Sequence, residues 1–239
     1  MNERLSVAKK EGHLKEGVKP IFASMGSRED YNDSALNFPG DSELNSALDV
    51  DFFSSPSDLR EKGFLAENYG YVISAINDSD KLSRSFANCT GLVVAGKDKI
   101  TGKNISFLSH QNPVQFLHKK KENFINDLKQ RLAEIKERCE DGTIDAVVVG
   151  GWYVAGSSTS GIPYEQEYID SVKLLSAEVK QIIDFEPIVI NGPKLVRGQD
   201  SVYYKNEDRR LYLMRVKVNS NTGDFSSSEI ERQKKQWEK

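Results

Sequence analysis

The sequence predicts an α/β layered fold, in which a mixed, mainly antiparallel sheet packs against two long helices behind an irregular N-terminal arm. Three observations carry this reading. Two adjacent β-type runs, TGLVVAG and NISFLSH, flank a turn that contains glycine. Two segments, near 120–139 and 164–184, keep apolar residues at spacings of three and four. Between these segments, IDAVVVGG is the continuous β-branched run of a strand covered on both faces. Hairpin, helix, strand, helix and then further strands is the order of helices laid on a sheet.

Taken in order, residues 1–65 come first. Gly, Ser, Asn, Asp and Pro cluster in SMGSREDYNDSALNFPGDSELNS, and the apolar residues keep no sustained period. This stretch is expected to be an irregular or partly disordered arm. Phe52, Phe53, Leu59, Phe64 and Leu65 allow part of it to dock on the core as a short helix. A folded domain is expected over 66–218 and a polar tail over 219–239.

Within the domain, YVISAI reads as a short strand and NDSDKLSRSFAN as a polar loop leading to Cys89. TGLVVAG and NISFLSH follow as paired strands, with Thr101-Gly102 supplying the positive φ of the connection. If the two strands pair antiparallel, the residue before the first and the residue ending the second share one sheet edge. Cys89 and His110 then become neighbours. Phe124, Leu128, Leu132, Ile135 and Cys139 form the stripe of the first helix; Tyr168, Val172, Leu175, Val179 and Ile182 form that of the second. PIVIN, SVYY and RLYLMRVKV supply the last strands, with a turn at KNEDR.

Composition narrows the function classes. The chain has 239 residues, and Lys+Arg 33 against Asp+Glu 36 gives a net charge of -3. That balance offers no electrostatic footprint for nucleic acid. No apolar run reaches the roughly 18 residues of a membrane span, and MNERLSVAKKEGHLKEG has no apolar core of a secretory signal. The expected address is the cytoplasm, with export as an effector left open. Cys89 and Cys139 are the two cysteines, too few for a disulfide scaffold and without the paired spacing of a structural zinc site. No metal and no cofactor is expected.

A thiol nucleophile needs a base within hydrogen-bond reach, because a free thiol is mostly protonated at neutral pH. His110, 21 positions after Cys89 across the hairpin, is the candidate. Cys139 belongs to a helix stripe and is expected to be a small buried hydrophobe. His13, in the arm, and His118, beside a lysine run, are expected to be solvated.

The stretch from Ser83 to Pro113, SRSFANCTGLVVAGKDKITGKNISFLSHQNP, resembles the chemoreceptor glutamine deamidase family of cysteine amidohydrolases. The shared features are a hydroxyl residue six positions before the cysteine, a strand, a TGK turn and a strand ending in histidine. IDAVVVGGWYV resembles that family's strand closing in a Gly-Gly pair, and the later helix, strands and hairpin follow in the same order over about residues 70–218. The layout is also similar to that of protein N-terminal asparagine amidohydrolases and, remotely, to the catalytic domains of glutamine-deamidating toxins. Two departures stand out: Ala87-Asn88 replaces the family's usual Gly-Ser before the nucleophile, and the spacing from cysteine to histidine is longer.

The resemblance implies a cysteine-dependent amidohydrolase that deamidates glutamine or asparagine side chains of a protein or peptide through a thioester. Cys89 would be the nucleophile, His110 the base, and Ser83 the third member, with Ser85 competing for that role. Gly150, Gly151 and Trp152 are candidates for substrate binding, a tight turn with a packing tryptophan being the alternative. Alternation in the strand turns Gln111 away from His110, which suggests a structural role. A protein substrate implies a shallow open cleft, whereas a buried site argues for a small-molecule amide. Three rivals remain. An N-terminal Asn/Gln amidohydrolase would need a carboxylate such as Glu165, Glu167 or Asp200. The others are a non-catalytic interaction protein and a metal site of Cys89, His110 and Cys139.

Overall fold

A computed structural model of the chain describes residues 13–27, 39–51, 55–151, 157–158, 161–191 and 199–216. In chain order its elements are β1 (Phe22–Ser27), α1 (Asp41–Ser46), β2 (Leu48–Asp49), α2 (Pro56–Glu61), β3 (Leu65–Glu67), β4 (Tyr71–Ile73), β5 (Lys81–Phe86), β6 (Thr90–Lys97), β7 (Asn104–Gln111), α3 (Pro113–Lys119), α4 (Lys121–Arg138), β8 (Asp145–Gly150), α5 (Tyr164–Ile183), β9 (Ile188–Asn191), β10 (Gln199–Lys205) and β11 (Arg210–Val216).

The expected hairpin forms the centre of a six-stranded sheet ordered β3-β4-β7-β6-β8-β9. Pairing is antiparallel throughout except between β8 and β9. Gly102, at φ 69°, turns the chain between β6 and β7, where a side chain would be strained. On one face of this sheet lie the two long helices. Phe124, Leu128, Leu132 and Ile135 of α4 are fully buried, with Leu175 and Val179 of α5 beside them, against Leu92, Val94, Phe107, Ala146 and Val148 of the strands. Each large aliphatic or aromatic side chain so buried contributes about 1.5–3 kcal/mol. Cys139 caps the end of α4 and is buried; a Cβ placed on Gly96 would stand 2.6 Å from its sulfur, so this glycine seats the helix end on β6.

The other face meets a second sheet, of five strands ordered β1-β11-β10-β5-β2. Val72, Val93, Leu108, Val147 and Val149 of the first sheet interlock with Ile21, Val202, Tyr204, Leu211 and Leu213 of the second. The architecture is therefore sheet on sheet with helices outside, an α/β layered fold as expected. The final hairpin, however, belongs to the second sheet and does not extend the first. The stretch expected as a polar loop contains β5, a strand of that second sheet.

The N-terminal segment differs most from its expected irregularity. Among its described residues, β1 pairs parallel with β11 and β2 parallel with β5. Ile21, Val50, Leu59 and Phe64 are each at most 2% exposed within the inter-sheet core. Leu59 rides on α2, the expected short docked helix; Phe52 and Phe53 lie outside the described residues. The segment is short of periodicity because β2 contributes only two residues, and both β1 and β2 pair with partners more than 30 positions away. The tail over 219–239 also lies outside the described residues. Among them, no helix is long and apolar enough to cross a membrane.

Candidate active site

The hairpin register sets Gly91 directly opposite His110, with Val72 on His110's other side. Cys89 lies two residues before Gly91. Period-two alternation therefore aims its side chain to the same face as His110, one step along the diagonal. That face is the inter-sheet one, since Cys89 belongs to the inter-sheet cluster. The sequence expectation that the two share a sheet edge thus holds in the backbone register.

From the facing sheet, β5 brings Ser83. Its hydroxyl lies 2.9 Å from Nδ1 of His110 and donates to the main-chain carbonyl of Val50. Of the two candidate serines, Ser83 reaches the imidazole. Ser85 instead occupies a bulge: β5 and β10 slip register between Asp200 and Val202, and Ser85 has φ 68°. The bulge redirects Phe86, whose ring stacks on His110 with centroids 3.9 Å apart. Phe86 fits because Gly91 has no side chain; a Cβ there would stand 2.8 Å from the Phe86 ring and 2.8 Å from the Ser109 carbonyl.

Neither member of the pair is open to solvent: His110 is 0% and Cys89 8% exposed. The expected shallow cleft is thus absent around these two side chains. Burial pushes the Cys89 thiol up to about 12 and the His110 imidazole down to about 3. At neutral pH both groups are uncharged, a thiol and a neutral imidazole on one face of the sheet. Such a pair can perform nucleophilic chemistry when the proton leaves sulfur as the sulfur attacks, with no standing thiolate.

The two glycines of the candidate substrate site are occupied by the protein itself. A Cβ on Gly150 would stand 2.5 Å from the Tyr168 ring, and one on Gly151 would stand 1.9 Å from the Phe86 carbonyl oxygen and 2.5 Å from that of Ala87. Gly151 also donates its N–H to the Cys89 carbonyl at 3.1 Å. Among the described residues, the close approach that these glycines permit is to Tyr168 and to the turn carrying Cys89. Trp152 lies outside the described residues.

Other expectations sort as follows. Gln111 is buried on the opposite face, between Tyr71 and Thr90 in register, as alternation requires. Cys139 sits in the helix-side cluster and Cys89 in the inter-sheet cluster, so Cys89, His110 and Cys139 do not converge on a metal. Among the described residues no group of three or more histidines, cysteines or carboxylates could hold a metal ion. His13 and His118 are not simply solvated. His13 hydrogen-bonds the buried Asp145 at 3.1 Å and stacks on Phe185, while His118 hydrogen-bonds the buried Glu167 at 2.9 Å. Each is tied down by a carboxylate distant in sequence, which no local pattern announces. Glu165 is exposed on α5. Asp200 is buried and opposite Phe86 in register, at the border of the site.

Sequence reasoning missed Phe86, Gly91 and Val50. A glycine inside an apolar strand two residues after a cysteine was a usable signal for close packing at that point. Nothing local marks the other two. No protein-family model matches the chain, and no curated protein sequence matches it.

Proposed function

We propose that the protein is a cysteine-dependent amidohydrolase that converts a primary carboxamide into the carboxylate, the amide being that of a glutamine or asparagine side chain in a protein or peptide or, as the burial of Cys89 and His110 favours, that of a small linear amide. The observation that supports this reading is the Ser83–His110 hydrogen bond, formed on the face that the register shares with Cys89. A histidine oriented by a hydroxyl on one ring nitrogen and set diagonally to a thiol is the arrangement that nucleophilic acyl transfer needs.

In this reading the Cys89 sulfur attacks the carboxamide carbon while His110 takes the thiol proton. The protonated imidazole then gives that proton to the amide nitrogen, the C–N bond breaks, and ammonia leaves. Water attacks the resulting thioester, passing a proton to His110, which returns it to sulfur as the carboxylate is released. The sum is carboxamide plus water to carboxylic acid plus ammonia, which at neutral pH stand as carboxylate and ammonium. Backbone N–H groups near Cys89 would stabilise the oxyanion, an interaction worth about 3–4 kcal/mol per preorganised donor. Burial of the pair restricts the substrate to a slim, unbranched stem bearing the amide. The cytoplasm is the proposed setting.

Ammonia release from glutamine- and asparagine-bearing peptides, with the amide-to-acid mass change mapped by fragmentation, tests the reading. Cys89→Ser and His110→Gln should abolish both signals, and hydroxylamine should intercept the thioester as a hydroxamate. No ammonia from peptides or from small linear amides would sink it. A second reading, hydrolysis of an N-terminal amide residue, is favoured by Asp200, a buried carboxylate at the border of the site able to hold an α-amino group. Activity on free but not acetylated N-termini, lost in Asp200→Asn, would select it.

A further inference from the structure

The contact between Ser83 and His110 can run in either direction, because a hydroxyl both donates and accepts and a neutral imidazole has one nitrogen of each kind. We infer that the main-chain carbonyl of Val50, delivered by the edge strand β2, is the positioning group that holds His110 in its Nδ1–H tautomer and leaves Nε2 as the basic nitrogen of the ring, on the sheet face that also carries Cys89. This inference deepens the amidohydrolase reading and rests on it for its catalytic meaning.

The Val50 carbonyl can only accept, and the single proton of the Ser83 hydroxyl is directed at it. The Ser83 oxygen therefore meets Nδ1, 2.9 Å away, with a lone pair, so Nδ1 must carry the ring proton. Burial keeps the imidazole neutral, with only one ring proton to place. Nε2 is then the nitrogen able to accept the proton of the thiol.

What holds the carbonyl in place is slight. Strand β2 contributes two residues to the edge of the outer sheet, paired with Lys81 and Leu82. Besides that ladder, Leu48 N–H donates to the Asp80 carbonyl at 2.9 Å and Val50 N–H to the Leu82 carbonyl at 2.7 Å. The buried Val50 side chain anchors it from within, and a half-exposed ion pair between Asp49 and Arg84 closes it outside. If β2 withdraws, the Ser83 hydroxyl is released to donate to Nδ1, the ring proton moves to Nε2, and Nε2 ceases to be the basic nitrogen. The N-terminal segment is thus part of the catalytic apparatus, although every side chain of the candidate triad lies beyond it.

The test reads the tautomer directly, without substrate, from the nitrogen chemical shifts of ¹⁵N-labelled histidine in the full chain, with His110 assigned by its absence in His110→Gln. The expected result is a pyrrole-type Nδ1 and a pyridine-type Nε2. Ser83→Ala should abolish that preference and Ser83→Thr restore it. Val50→Pro removes the N–H that holds β2 to Leu82, and should shift His110 to the Nε2–H form or to a mixture. An Nε2–H tautomer in the native protein, or an Nδ1–H tautomer that persists in folded Val50→Pro, overturns the inference. If Val50→Pro does not fold, the native tautomer and the two Ser83 variants decide. Because no turnover is measured, an inactive protein with the Nδ1–H form would refute the amidohydrolase reading and leave this one standing.

Discussion

The ring of Phe86 lies flat on the imidazole of His110, with centroids 3.9 Å apart and planes 15° apart. This stack closes the histidine off from water on one side. It exists because a bulge in β5 and the missing side chain of Gly91 make room for it. Phe86→Ala is expected to cost about 3–5 kcal/mol, as for other large aromatic truncations in a core. It should also let water reach His110, so that the imidazole titrates nearer its ordinary value. Denaturant unfolding and an NMR titration of the ring would check the two effects; an unchanged His110 titration would show that the stack does not govern it.

Burial of Cys89 predicts its reactivity. With the thiol pushed up to about 12, the thiolate fraction rises tenfold per pH unit through the neutral and mildly alkaline range. Alkylation of Cys89 by iodoacetamide, followed by mass spectrometry, should climb steadily from pH 7 to pH 10. A plateau beginning near neutrality would mean a resting thiolate instead, stabilised by something that these side chains do not supply.

His110 predicts an acid limb of stability. Its folded value, about 3, lies below the ordinary 6.5, so the unfolded chain binds a proton that the folded chain refuses over the interval between them. The contribution is whole above pH 6.5 and is lost as the pH falls towards 3, at up to about 1.4 kcal/mol per unit. The stability gap between the native protein and His110→Gln should shrink accordingly over that range in urea melts. A gap that stays constant with pH would contradict the buried neutral imidazole.

A second cross-sheet polar contact lies along the same strands. Lys81, two residues from Ser83, donates to the Ser106 hydroxyl at 3.2 Å and to the Ser79 carbonyl at 2.7 Å, and burial brings its amine down to about 7. The unfolded amine stays protonated to about 10.5, so native stability should rise between pH 7 and pH 10 through this group. Comparison with Lys81→Met isolates the effect. If the difference between the two proteins does not change over that range, the ammonium is charged in the folded state.

Backbone geometry at the site gives a pair of opposite effects. Ser85→Gly relieves a non-glycine residue at φ 68° and should stabilise by about 1 kcal/mol or leave stability unchanged. Gly151→Ala drives a methyl into the carbonyls of Phe86 and Ala87 and should cost about 1–3 kcal/mol or more, since backbone cannot step aside as a side chain can. Thermal melts would rank them; a tolerated Gly151→Ala would mean that the turn before Cys89 is adaptable.

The sequence was most legible where periodicity spans many residues. The stripes of α4 and α5, the β6–β7 hairpin and the covered strand β8 were all readable, because each repeats one simple pattern over six or more positions. From the hairpin alone came the pairing of Cys89 with His110. Strand β5 was not legible: its inward positions hold Lys81 and Ser83, polar residues that face the core because partners on the opposite sheet satisfy them. A strand that buries polar side chains looks like a loop to any reading of hydrophobic alternation.

By itself, then, the sequence determined the layered class, the two helices and the hairpin register that sets Cys89 and His110 on one face, since local propensity and short-range register are properties of contiguous residues. Only the tertiary structure decided that a second sheet closes over that edge, that Ser83 and not Ser85 reaches the imidazole, and that Phe86 and the Val50 carbonyl complete its surroundings. Ser83 and Val50 stand 27 and 60 positions before His110. Contacts over such distances come from how whole sheets stack, and stacking is set by the summed burial of two faces, which no window of the sequence contains.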